Sequence, residues 1–176
     1  ITSVVKLKEN ILSFASGNEK RIARLAFNKN GWVLPSGKYG KSNSSSTHEF
    51  KHGYGHEEWL FDYGKIIEGY KYGFLEPIRK QQKAYTGNKY DVWLYTIDSK
   101  TGKRYWVGEI KNLEVIENKE SERVKSIYKK NGWLKEMEEQ IQNAGGNKKG
   151  FSNWKGVDLF NIRFKVDDAK INYPLF

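Results

Sequence analysis

The feature that most limits the fold is a pair of runs, residues 90–98 (YDVWLYTID) and 104–116 (RYWVGEIKNLEVI), set either side of SKTGK. Both are rich in β-branched and aromatic residues, and the connection carries Gly102 where a hairpin turn favours it. The chain is therefore expected to hold a long antiparallel β-pair. Immediately afterwards the apolar period changes. Across residues 119–143, Val124, Ile127, Leu134, Met137 and Ile141 recur at helical spacing with Glu and Lys between them. Asn131-Gly132 interrupts that pattern, which predicts two helices joined at the break. Strands and helices segregated in this way make an α+β fold, and 176 residues suit one domain with one core.

Elsewhere the pattern is less regular. Val4, Val5, Leu7, Ile11, Leu12 and Phe14 stand at mixed helical spacing, and Ile22, Leu25 and Ala26 resume it after Ser16-Gly17-Asn18, so two short helices are expected at the start. SGKYGKSNSSS, residues 36–46, reads as a basic loop with few apolar anchors, mobile without a ligand. NAGGNKKG, residues 143–150, is a second loop. LFNIRFKVDDAKI, residues 159–171, alternates well enough to return the chain to the sheet as a late strand.

The formal net charge is +10, from 31 basic and 21 acidic residues, which favours a polyanionic partner. Six Trp and eleven Tyr exceed what the core needs, so some rings are expected at a surface or pocket. With no cysteine, disulfides, zinc-thiolate sites and thiol nucleophiles are excluded. No apolar run approaches the roughly 18 residues of a membrane span, and no signal-peptide pattern opens the chain. The expectation is a cytoplasmic protein without a membrane partner. Because it starts at Ile1 and ends at Phe176 without terminal punctuation, it reads as a module of a longer polypeptide.

All three histidines fall in HEFKHGYGH. At i, i+4 and i+8 they would share one helix face, with Glu49, Glu57 and Glu58 near, as a metal set. Gly53 and Gly55 disfavour a continuous helix there, so a turn is the better reading: HGYG delivers the chain into an element starting near Glu57, with Trp59, Leu60 and Phe61 inward. His48-Glu49 and His56-Glu57 then stand at the edge of an aromatic cavity; the bland alternative is ordinary surface and core residues. No metal is expected. Asp91 and the Glu109-Ile110-Lys111 triplet lie on successive hairpin strands, where two carboxylates and a lysine could hold magnesium for phosphodiester hydrolysis; the bland version is a cross-strand ion pair. Gly40-Lys41-Ser42 lacks the register of a phosphate-binding loop, which argues against ATP. The basic loop beside Trp32 suits a clamp on a nucleic-acid backbone, or simple solvation.

Taken in order, GWVLPSGKYGKS, HGYGHEEWLFD, GYKYGFLEP and RYWVGEIKNLEVI resemble the N-terminal recognition domains of bacterial type IV, modification-dependent restriction proteins. The hairpin and late strand resemble the EVE, YTH and SRA branch of PUA-like barrels, over roughly residues 25–171. The resemblance implies a curved β-barrel with helices packed around it and a pocket for one base swung out of double-stranded DNA. It also implies recognition of a methylated cytosine or adenine, no cofactor, no catalytic residue in this domain, and a separate nuclease or motor domain. Base flipping needs rings, edge readers and a basic rim. The candidates are Trp32, Trp59, Trp93, Tyr105 and Trp106 as rings, His48, Glu49, Asp62 and Asp91 as edge readers, and Lys38, Lys41, Arg79, Lys80, Lys83 and Arg104 on the backbone. The rival is a magnesium-dependent nuclease built on Asp91, Glu109 and Lys111.

Overall fold

The computed structural model describes residues 17–172. It is a mixed α+β fold on a seven-stranded sheet. The predicted hairpin is the spine: β4 (Lys89–Ile97) and β5 (Arg104–Val115) pair antiparallel across the SKTGK connection. β1 (Glu19–Leu25) lies parallel to β4. The opposite edge of β5 holds β7 (Ala169–Ile171) along its middle and β6 (Ile162–Phe164) at its end. β3 (Tyr70–Gly73) and β2 (Ile66–Ile67) continue from β6, all antiparallel. Register shifts in the β4–β5 ladder, between Tyr90 and Val92 and between Leu94 and Tyr95, bend the pair. The sheet is not closed among the described residues.

Among the described residues six helices complete the fold: α1 (His48–His52), α2 (Glu76–Arg79), α3 (Gln82–Tyr85), α4 (Asn118–Lys130), α5 (Trp133–Asn143) and α6 (Gly156–Leu159). α4 and α5 meet at Asn131-Gly132 as the sequence predicts. α4 buries Val124 and Tyr128, four apart, and α5 buries Leu134, Met137 and Ile141. Each apolar side chain so buried contributes about 1.5–3 kcal/mol.

Two expectations are corrected. The helix expected from Ile22, Leu25 and Ala26 is β1 instead. Ala23 and Leu25 are buried while Ile22 is exposed, a period of two that short helical spacing can imitate. The other early helix, residues 4–14, lies outside the described residues. The single late strand is two, β6 and β7, separated by a 3-10 turn at Val166–Asp168.

The core has two lobes. One packs Ala23, Leu25, Val92, Leu94, Val107 and Ile110 of the sheet against Trp32, Leu60, Phe61 and Leu75. The other joins Tyr54, Trp59, Tyr72, Phe151 and Phe160 to α4 and α5. The segment 54–61 feeds both, so whatever it displays is held from two sides.

Candidate functional site: a histidine-walled cavity

Thr47 caps α1 by accepting a hydrogen bond from the Phe50 amide, and Gly53 closes it at φ 80°, the left-handed conformation that glycine adopts without cost. The helix therefore ends after His52, and His56 starts a separate 3-10 turn, His56–Trp59. Two buried glutamates fix that turn. Glu57 accepts from the Ala26 amide at 3.0 Å, tying it to the end of β1. Glu58 accepts from Gly55 N, Asn28 Nδ2 and Ser36 N, and its charge is met by Lys41 at 2.9 Å with both side chains buried.

The result is an open cavity of about 560 Å³. His48, His52, His56, Phe74 and Trp154 form its walls, Glu49, Glu57 and Glu76 add carboxyl groups, and Lys51, Lys80 and Arg79, the last ion-paired with Glu76 and Asp158, supply cations. The rings interlock: His48 stacks on His52 at 4.4 Å between centroids, and His56 meets His48 and Trp154 edge-on, each at 4.9 Å.

Two of the imidazoles, those of His48 and His56, are neutral near pH 7. Burial, then the neighbouring His52 and Arg79, lowers the pKa of His48 to about 4. Burial and His48 lower that of His56 to about 3, against the opposing bond to the Asp158 carbonyl. A carbonyl only accepts, so His56 Nδ1 carries the hydrogen toward Asp158 O, leaving Nε2 as a lone-pair acceptor. His48 Nε2, His52 Nδ1 and His56 Nε2 are buried without a hydrogen-bond partner among the described residues. Burial, then Glu49, raises the pKa of Glu57 to about 8, so near pH 7 its carboxyl is largely protonated and can donate as well as accept. His48, His56 and Glu57 thus give the wall uncharged hydrogen-bonding groups, and the cations stand around them.

Three histidines do not make a metal centre here. Lone pairs lie in the ring planes, and the planes of His48 and His52 are only 27° apart in a stack, so their nitrogens lie side by side and do not converge on one point. Among the described residues, no group of three or more His, Cys, Asp or Glu side chains is arranged to hold a metal ion.

Of the predicted site residues, His48, Glu49, Arg79 and Lys80 line the cavity. The predicted rings are dispersed. Trp32 is fully buried in the first lobe; its φ of 56° is unusual for a bulky residue and is held by Nε1–H donated to Ala26 O and its own amide to Asn28 Oδ1. Trp59 is buried in the second lobe and donates to Gln140 at 2.7 Å. Trp93 and Trp106 meet each other at 5.9 Å on the open face of the sheet, both exposed, and Tyr105 is half-buried on β5. Asp62 is paired with Lys65 at 2.5 Å and lies outside the cavity lining.

Lys41 is corrected from a backbone contact to the buried partner of Glu58. Through it, and through Ser42 N donated to Glu49 and Ser99 N donated to Gly40 O, the 36–46 loop is anchored where few anchors were expected. Lys38, Lys83 and Arg104 are exposed. Asp91 is buried and accepts from Asn18 Nδ2 and the Asn112 amide, while Glu109 accepts from the Trp93 indole. Those hydrogen bonds favour a structural role for both carboxylates over a metal-binding one. Sequence reasoning did not single out Lys51, Phe74 or Trp154, because only the fold brings 154 beside 48; the surplus of aromatics was their one signal.

Compared with known proteins, the chain matches no family model, no curated protein and no solved structure. Among the described residues no helix is long and apolar enough to cross a membrane.

Proposed function

We propose that this domain binds double-stranded DNA and reads one base, turned out of the duplex into the histidine-walled cavity, as the recognition part of a cytoplasmic modification-dependent restriction system. The observation that carries the reading is the contrast within one cavity: the neutral His48 and His56 imidazoles, with nitrogens unpartnered among the described residues, on the wall and Lys51, Arg79 and Lys80 beside them. Such a wall suits a neutral, flat, hydrogen-bonding group, and such a rim suits the phosphates on either side of it. His56 Nε2 calls for a donor, which the exocyclic amino group of cytosine or adenine supplies. Glu57 can then return a hydrogen bond to the adjacent ring nitrogen. A free anion is a poor fit because His48 and His56 resist protonation.

Kinship with the PUA-like barrels belongs to the same proposal, supported by the bulges that bend the β4–β5 pair and by the ordered motifs quoted from the sequence. Cleavage is assigned to a separate nuclease domain.

The test is binding of the domain to matched duplexes carrying cytosine, 5-methylcytosine, 5-hydroxymethylcytosine, adenine or N6-methyladenine, with and without magnesium. One modified duplex should bind preferentially, without cleavage and independent of the metal. His48→Ala and Glu49→Ala should remain folded, keep salt-dependent binding to plain DNA and lose the preference. Equal binding of all five duplexes by the wild type, or undiminished preference in both variants, removes the cavity as the reader.

A further inference from the structure

The face of the sheet turned away from the core carries a second, differently built surface. Side chains alternate along strands, and the register sets Ile22 beside Trp93 and Arg24 beside Tyr95 on β1 and β4, with Trp106 opposite Tyr95 on β5. Ile22, Trp93 and Trp106 are 64%, 42% and 46% exposed. Large rings are seldom left so open on a domain that has a core to fill. They are also held: Trp93 packs against Trp106 edge-on at 77° and donates its indole N–H to Glu109 at 3.1 Å. Lys20 Nζ lies 5.7 Å from the Trp93 ring. Alternation puts Lys20, Arg24 and Arg104 on this same face, which also carries the Glu109 carboxylate beside Trp93. The cavity segment 54–61 packs on the opposite face, so the two surfaces look away from each other.

Fixed, solvent-facing indoles that share a face with Lys20, Arg24 and Arg104 complement a chain that offers flat bases and phosphates together. Bases are available for stacking only where they are unpaired. We propose that this face is a docking platform for single-stranded nucleic acid, with bases stacked on Trp93 and Trp106 and phosphates held by Lys20, Arg24 and Arg104. This goes beyond the reading of a base in the cavity and uses none of its residues.

The experiment is an anisotropy titration of a labelled oligothymidylate by the full chain at low salt. Thymine has no exocyclic amino group, so this probe reports on the platform and not on the proposed cavity preference. Trp93→Ala and Trp106→Ala should each weaken binding roughly 10-fold, the loss of about one stacked base, while melting close to the wild type and retaining any preference among modified duplexes. Trp93→Phe should recover most of the affinity, and Lys20→Ala with Arg24→Ala should lower the salt dependence. Unchanged oligothymidylate affinity in both tryptophan variants overturns the proposal. So does a wild-type dimer in sedimentation that Trp106→Ala dissociates without changing oligonucleotide binding, which makes the face a contact between copies of the chain.

Discussion

The cavity and the open sheet face use the same residue types, aromatic rings and cations, and differ in what burial does to them. In the cavity, burial strips charge from His48 and His56 and leaves ring nitrogens with unused hydrogen-bonding capacity. On the sheet face, Trp93, Trp106 and Lys20 remain exposed to water. An enclosed site selects by hydrogen-bond pattern, because an unpaired polar atom is costly there. An open one selects by charge and flatness, which every nucleotide shares. One surface is suited to discrimination and the other to grip.

The largest expected effect separates the two by breaking only the enclosed one. Lys41→Met leaves Glu58 buried without its cation and should cost about 3–5 kcal/mol of stability in a denaturant melt. Local loosening should then abolish base preference before it affects binding of oligothymidylate. If Lys41→Met instead reduces DNA affinity with no loss of stability, Lys41 contacts phosphate after all.

Salt comes next. If the three cations at the cavity rim neutralise phosphates, duplex affinity should fall with a log–log slope of about −2.7, roughly 40-fold between 50 and 200 mM salt. Arg79→Ala with Lys80→Ala should reduce that slope by about two units for every duplex alike. An affinity indifferent to salt would argue that the +10 charge serves something other than DNA.

Discrimination is a smaller quantity. Trp154→Ala removes one wall of the cavity and should weaken the preferred duplex by about 1–3 kcal/mol, with little change for plain DNA; the measurement is competition between the two. Loss of equal size for both duplexes would move Trp154 from reader to scaffold.

The last effect is a pH slope, the smallest when read per pH unit. His56 has a folded value of about 3 against an ordinary 6.5. Between those values the unfolded chain binds a proton that the folded chain refuses. The stability linked to neutral His56 is thus fully present above pH 6.5 and is lost as pH falls through that window. Replacing it by His56→Gln should flatten stability against pH by up to one proton, about 1.4 kcal/mol per pH unit, relative to the wild type. Comparing the two proteins cancels Glu57, whose raised value acts in the opposite sense. Parallel pH profiles would show that His56 is already protonated in the fold.

Local chemistry alone determined the β4–β5 hairpin, the break between α4 and α5, the end of α1 at Gly53 and the inward course of Trp59, Leu60 and Phe61. Each follows from period, propensity or a conformation peculiar to glycine, within a few residues. The same locality placed His48, Glu49, His56 and Glu57 at a cavity edge, since a turn between two short elements carries its polar neighbours with it. What sequence could not decide was which aromatics face that cavity. Trp32, Trp59, Trp93 and Trp106 are chemically alike in the sequence, yet the first two are sealed in separate lobes, the last two stand on the far side of the sheet, and Trp154 completes the wall from beyond the second loop. Nor could it tell Lys41 from Lys38, because only the buried carboxylate of Glu58, 17 positions from Lys41 in the sequence, pulls one of them inside. Those assignments depend on contacts between residues far apart along the chain, where local pattern has no purchase and the balance of desolvation against pairing settles each side chain's place.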